Sequence, residues 1–169
     1  MLPLLTERLL IRPFVPSDAP FILRLLNEPS FIENITDKGV RTLDQAAEYL
    51  TTGPLASYAT HGHGLWMVQH RVTGHPMGMC GLIKRDNLTK VDLGYAFVPE
   101  FWGLGFAREA AEACLAWGRD TRGLRGILAI VSPGNTASIR LLEALAFQRT
   151  GSMIYAPGDE VDIYRLELG

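Results

Sequence analysis

Apolar and polar positions change period several times along the chain, and each change marks a short element. Arg8–Phe14 (RLLIRPF) is an apolar run that predicts a first strand. The following DAPFILRLL has helical spacing; Ser17 stands where an N-cap belongs, and Pro20 falls in the first turn, where its missing N–H does little harm. A break at Asn27–Pro29 leads into an irregular polar piece, Glu33–Val40. A second helix is predicted from Thr42 to about Leu50, opened by a capping box of Thr42 and Gln45. Three runs, Gly64–His70, Pro76–Lys84 and Lys90–Val98, separated by RVTGH and RDNLT, predict a three-stranded antiparallel meander. From Gly105 to about Thr121 the period turns helical, with Ala107, Ala110, Ala111, Cys114, Leu115 and Gly118 on one stripe whose small side chains let it lie close to a sheet. Gly126–Val131 suits a central strand, Asn135–Phe147 an amphipathic helix capped by Asn135, and Arg149–Ala156 with Val161–Leu168 a closing hairpin about Pro157-Gly158-Asp159.

This order reads as one α/β (α+β) domain over residues 1–169, built on a mixed sheet. The strand–helix–strand step from Val91 to Val131 is a crossover and should leave its two strands parallel. A hydrophobic content of 47% over 169 residues supports one core. The net charge of −2, with no long run of one sign, leaves no footprint for nucleic acid or an acidic membrane. The opening meets Glu7 and Arg8 before an apolar run reaches signal-peptide length, and no stretch reaches the roughly 20 apolar residues of a membrane span, so the expected location is the cytoplasm. Cys80 and Cys114 lack disulfide-framework or metal-ligand spacing and read as reduced, buried thiols. His61 and His63 have a spacing two metal ligands can use, but no third ligand accompanies them, and no metal is expected.

The chemistry concentrates in FWGLGFAREA. A strand ending near Val98, a short loop and glycines at 103 and 105 place free backbone N–H groups at a helix N-terminus, which favours an anion such as a phosphate. An ordinary tight turn is the alternative. A P-loop needs GxxxxGK[ST], which is absent, and a dinucleotide fingerprint needs Gly or Ala where Arg108 stands.

This turn, preceded by DLGYAFVPE and followed by NTASIRLLEALAF, resembles the GCN5-related N-acetyltransferase (GNAT) superfamily, and within it the ribosomal-protein N-terminal acetyltransferases. The resemblance implies the family's fold, a single mostly antiparallel mixed sheet with helices on both faces, and acetyl-CoA as acyl donor. It maps the pyrophosphate contacts to Gly103, Leu104, Gly105, Phe106, Ala107 and Arg108, and the pantetheine contacts to Phe97, Val98 and Asn135. It implies an amine acceptor, a protein N-terminus or a small molecule, and allows a homodimer, since dimers are common in the family. Trp102 departs from the family's usual Gln or Arg, and Ala146-Phe147 from the usual Gly-Phe.

Within that resemblance Asp92 matches the position of a catalytic glutamate in several members and is the candidate base; a strand-edge acid satisfied by a neighbour is the alternative. The tyrosine that many relatives carry on the last helix is Leu142 here, and Ser138, one turn earlier on the same face, matches the serine used near the thiolate in the ribosomal-protein branch. Helix capping is the alternative reading of both Asn135 and Ser138. Glu33, Asn34, Thr36 and Asp37 fall where the family lines its acceptor side. Trp66 and Tyr95, at strand spacing, read as packing, while Tyr155 and Tyr164 can border the acceptor cleft. The expected activity is N-acetyl transfer by direct attack of a neutral amine in a ternary complex. The alternative is a non-catalytic acyl-CoA sensor that keeps the cradle without acid–base groups.

Overall fold

The computed structural model describes residues 2–169. In chain order the elements are β1 (Leu4–Leu5), β2 (Leu9–Arg12), α1 (Ala19–Leu26), α2 (Pro29–Asn34), α3 (Leu43–Leu50), α4 (Ala56–His61), β3 (Leu65–His70), β4 (Pro76–Ile83), β5 (Asp92–Phe97), α5 (Phe106–Arg122), β6 (Gly126–Val131), α6 (Thr136–Ala144), β7 (Gln148–Ala156) and β8 (Asp159–Glu167). The strands form one sheet in the order β1-β2-β3-β4-β5-β6-β8-β7. Every neighbouring pair is antiparallel except β5 and β6, which are parallel, as the crossover through α5 requires.

Each face of the sheet carries its own core. Trp66, Val68, Cys80, Leu82, Leu93 and Phe97 pack with α5 and α6 on one side. Met67, Met79 and Val98 pack with α1, α2 and α3 on the other. The run LWMV on β3 is apolar at every position because both faces are covered. One irregularity sets the phase: Val68 pairs with Gly78 while Gln69 pairs with Pro76, so Met77 is an extra residue in β4. Met77 lies in the first core and Met79 in the second, although residues two apart in an even strand share a face. No helix among the described residues is long and apolar enough to cross a membrane.

The meander, the Thr42–Gln45 capping box and the closing hairpin form as expected. Five local features differ. Ser17 does not cap α1: Pro16–Asp18 is a 3₁₀ turn, and the Asp18 carboxylate accepts from the Val15 N–H and from both ends of the Arg12 guanidinium. Pro29, expected inside a break, is the first residue of α2. Helical structure continues past Leu50 through a π turn, Thr51–Leu55, into α4. Pro54 has no N–H and its ring would strike the carbonyl of Leu50 in a regular helix; the wider turn accommodates it. The two-residue β1 carries too little sequence to show a period. Finally, α6 ends on Ala146 at φ 71°. The Phe147 N–H donates to the Leu142 carbonyl (2.9 Å) and the Ala146 N–H to that of Glu143 (3.0 Å), the bonding of a Schellman motif with alanine in the left-handed position.

Alanine is strained at that angle and glycine is not. Ala146→Gly should therefore raise the unfolding free energy by about 0.5–1 kcal/mol, after the greater freedom of glycine in the unfolded chain is subtracted. Thermal or urea unfolding of the two proteins measures the difference.

Candidate active site

The loop between β5 and α5 begins with a 3₁₀ turn, Pro99–Phe101, and continues through Gly103 at φ 72° and Gly105 at φ 83°, angles a side chain at either position would strain. Gly105 is the N-cap of α5 and offers no capping side chain. The first main-chain bond of the helix runs from the Glu109 N–H to the Gly105 carbonyl, at 3.0 Å. The N–H groups of Gly105, Phe106, Ala107 and Arg108 therefore have no intrahelical partner. The loop is exposed at 103–105, and a side-chain carbon at Gly103 would meet nothing within 4 Å. Four donors without intrahelical partners and the positive end of a 17-residue helix thus lie beside an exposed loop, as an anion site requires. The Arg108 guanidinium is not part of this surface: it pairs with Glu112 one turn on, both side chains more than half exposed.

Beside the loop the sheet opens. β5 and β6 share a single register pair, Asp92↔Leu128. Val98 donates its N–H to the Met77 carbonyl at 3.0 Å, so by antiparallel alternation the N–H groups of Tyr95 and Phe97 point away from β4, toward the side where β6 has diverged. That bare edge can pair with an extended amide-bearing ligand. The expectation for Val98 changes accordingly. Its N–H is used by Met77 and its carbonyl accepts from the Phe101 N–H at 3.0 Å, so the available donors belong to Phe97 and Tyr95. The Phe97 carbonyl accepts from Trp102 Nε1 at 2.8 Å. Trp102 thus fastens the glycine loop to the strand end while its ring stays half exposed.

Tyr95 crosses from β5 to the first turn of α6, where its hydroxyl hydrogen-bonds Ser138 Oγ. Asn135 caps that turn, Oδ1 accepting from the Ser138 N–H at 3.2 Å. Burial pushes the Tyr95 phenol up to about 12, against the lowering effect of the bond to Ser138. Leu142, one turn beyond Ser138, is a core residue. The helix thus lacks a phenol of its own, and the neighbouring strand brings one to the same turn. Strand spacing alone gives Tyr95 a packing role; its reach to Ser138 spans 43 residues of sequence, which no local pattern encodes.

Asp92 lies elsewhere. It is wholly buried, and both its oxygens accept from Arg85 Nε, at 3.0 and 3.1 Å. Arg85 Nη1 donates to the Tyr155 hydroxyl at 2.6 Å, which brings β4, β5 and β7 together at the opposite end of the strand from the glycine loop. Burial pushes the Asp92 carboxyl up, opposed chiefly by the Arg85 charge. The α2 end closes over the end of β6, with Ser132 Oγ donating to the Asn34 carbonyl at 3.1 Å. Asp37 is tied to Arg41 and Tyr164 lies in the core. His63 is buried with Nδ1 on the Leu82 carbonyl at 2.7 Å, and no group of metal-ligating side chains occurs among the described residues. Cys80 and Cys114 are both buried, and hydrogen bonding to Cys80 together with burial pushes the Cys114 thiol well up, away from the reactive thiolate.

Residues 8–148 match the family model described as an acetyltransferase (GNAT) domain. An uncharacterised protein of Bacillus subtilis, YkkB, is 32% identical over 145 residues, which cover 84% of this chain and 83% of that protein. An acetyltransferase of known structure from Agrobacterium tumefaciens superposes with a TM-score of 0.81 at 27% identity, covering 98% of this chain and 94% of the other. The ribosomal alpha-N-protein acetyltransferase RimL, solved in complex with coenzyme A, reaches the same TM-score over 98% of this chain and 97% of its own; at 17% identity this likeness is one of fold.

The Asp92–Arg85 pair can be tested through stability. Asp92→Asn removes the charge opposite a guanidinium that is only a quarter exposed. The expected loss is about 2–3 kcal/mol, less than for a fully buried pair because water reaches Arg85. Urea unfolding of the variant measures it, and a loss below about 0.5 kcal/mol is the size expected of an exposed pair instead.

Proposed function

The chain belongs to the GNAT acetyltransferase family, and from that premise we propose that it moves the acetyl group of acetyl-CoA onto the α-amine of a protein or peptide. The neutral amine attacks the thioester directly in a ternary complex, without a metal. The observation that carries this reading is the adjacency of two unsatisfied main-chain surfaces. The four N–H groups at the start of α5 suit a diphosphate, and the bare edge of β5 at Tyr95 and Phe97 suits an arm that carries amides. Coenzyme A joins those two features in one molecule, and the coenzyme A held by RimL, a protein of the same fold, supports the assignment.

When bound, acetyl-CoA supplies an acyl carbon activated as a thioester and a thiolate leaving group. Ser138 Oγ donates a hydrogen bond to the developing negative charge on sulfur, with the Tyr95 hydroxyl donating to Ser138 behind it. Magnitudes decide how this couple works. A phenol at about 12 is more than 3 units weaker as an acid than a thiol near its ordinary 8.5, so complete proton transfer is uphill by about 5 kcal/mol. The hydroxyls therefore stabilise the thiolate, and solvent supplies its proton. With this couple in place of the missing helix tyrosine, catalysis is favoured over a sensor role.

The acceptor follows from the same arithmetic. At pH 7.4 a lysine amine near 10.4 costs about 4 kcal/mol to neutralise, an α-amine near 7.7–8.0 less than 1. Asp92 has both oxygens on Arg85, so its part is to hold Arg85 and Tyr155 beside the acceptor while water takes the amine proton.

Trp66 and Trp117 are buried and Trp102 is half exposed at the loop, so acetyl-CoA should alter the intrinsic fluorescence through Trp102, and Trp102→Phe should abolish that signal. Thiol release should favour a peptide with a free α-amine over its N-acetylated, lysine-bearing counterpart by about a hundredfold at pH 7.4. Failure of every amine to release thiol defeats the reading. For the hydroxyl couple, Tyr95→Phe should lower kcat about tenfold with little change in KM. In the wild type, kcat/KM should rise with pH through the acceptor's own pKa, near 8, and hold level to about pH 10, because Tyr95 keeps its proton there.

A further inference from the structure

We infer that Arg8, just before β2, is the positioning residue that makes the glycine loop competent to hold an anion; the inference rests on the assignment of the coenzyme diphosphate to that loop. In a trans peptide the carbonyl and the following N–H point in opposite directions. Arg8 Nη1 donates to the Leu104 carbonyl at 2.9 Å, so the Gly105 N–H, at an exposed position of the loop, faces away from Arg8. The Leu104–Gly105 peptide has a positive-φ glycine on either side of Leu104, the arrangement in which a peptide plane turns over with least resistance. Turned over, it would present a carbonyl oxygen to the phosphate in place of a donor. No other side chain among the described residues hydrogen-bonds that carbonyl.

The same arginine handles a second problem. Glu109 lies in the first turn of α5, where a carboxylate competes with a bound anion for the positive end of the helix. Arg8 Nε donates to Glu109 Oε1 at 2.8 Å, and the Arg8 main-chain N–H donates to Oε2 at 2.9 Å, where the Thr6 hydroxyl also donates. Burial acts to raise this carboxyl, but the bonds from Thr6 and Arg8 outweigh it and hold it below the usual range, so the charge is present and Arg8 cancels it. The guanidinium rests 4.2 Å from the centre of the Phe106 ring, which fixes the fork against the first helical residue. One side chain thus fixes which way the Gly105 donor points and offsets the competing charge.

A simple staple between the chain start and α5 would behave differently, and removing each partner in turn separates the two roles. Arg8→Met keeps the packed stem and deletes the fork; Glu109→Gln keeps an acceptor and deletes the negative charge. Dissociation constants for acetyl-CoA, from calorimetry, and kcat/KM for S-acetylpantetheine, which lacks the diphosphate, are measured for both. Arg8→Met should weaken acetyl-CoA binding at least about tenfold and alter S-acetylpantetheine turnover less than about twofold, whereas Glu109→Gln should bind acetyl-CoA as tightly as the wild type or more tightly. Equal weakening by both variants, or equal loss with both donors, overturns the inference and leaves a staple. If Arg8→Met does not fold, Glu109→Gln decides alone: weaker acetyl-CoA binding overturns the proposal and unchanged or tighter binding supports it. Wild-type protein that takes up no acetyl-CoA at millimolar concentration removes the loop assignment itself, a result distinct from any variant's behaviour.

Discussion

Four main-chain N–H groups that the protein leaves without partners organise everything around them. An ordinary helix would satisfy one with a Ser, Asp or Asn side chain at its N-cap, worth about 1 kcal/mol; α5 has Gly105 there instead. That forgone stabilisation is tolerable because the rest of α5 is well anchored. Ala110, Ala111, Cys114 and Gly118 let it lie against the sheet, and Trp117 packs edge-on against Trp66 with ring centres 4.9 Å apart. A rigid helix body and a bare helix start are the two halves of one arrangement.

The sheet supplies the complementary feature. β5 and β6, parallel and joined by the crossover helix α5, lie side by side at Asp92 and Leu128. Beyond that point they part, and the gap exposes main-chain donors of β5 on one side and admits α6 with Ser138 on the other. The cluster of buried Asp92 with the partly exposed Arg85 and Tyr155 sits at the root of the gap, joining the ends of β4, β5 and β7. Its position explains why a carboxylate at the start of this strand need not take a proton to matter.

Features carried by a few adjacent residues were legible in the sequence: the glycine turn, the meander, the Thr42–Gln45 box and the parallel crossover. The turn is readable because it rests on backbone geometry that only a few residue types permit. What stayed hidden depends on long-range approach. Arg8 meets Leu104 and Glu109 about a hundred residues away, and Tyr95 meets Ser138 from a strand 43 residues earlier. Local competition misled as well. Ser17 stands where a cap is expected, yet the chain there is a 3₁₀ turn with Asp18 drawn to Arg12, and the helix read as ending near Leu50 continues through a π turn. The serine at 138 was identified by family likeness and its partner by contact, so neither source alone would have given the pair.

The extra residue at Met77 has a bearing on how this scaffold can vary. Past it, Gly78–Gly81 stay in step with Leu65–Val68 and carry β5 with them, Tyr95 opposite Cys80, so the insertion touches only the Pro76 end of β4. Losing Met77 would even the ladder at that point and take one apolar side chain out of the core beside α5 and α6, with the pairing on either side of it left in place. Lineages descending from such a chain are freer to change length at this end of β4 than within Gly78–Ile83, where one residue lost would turn every following side chain to the other face.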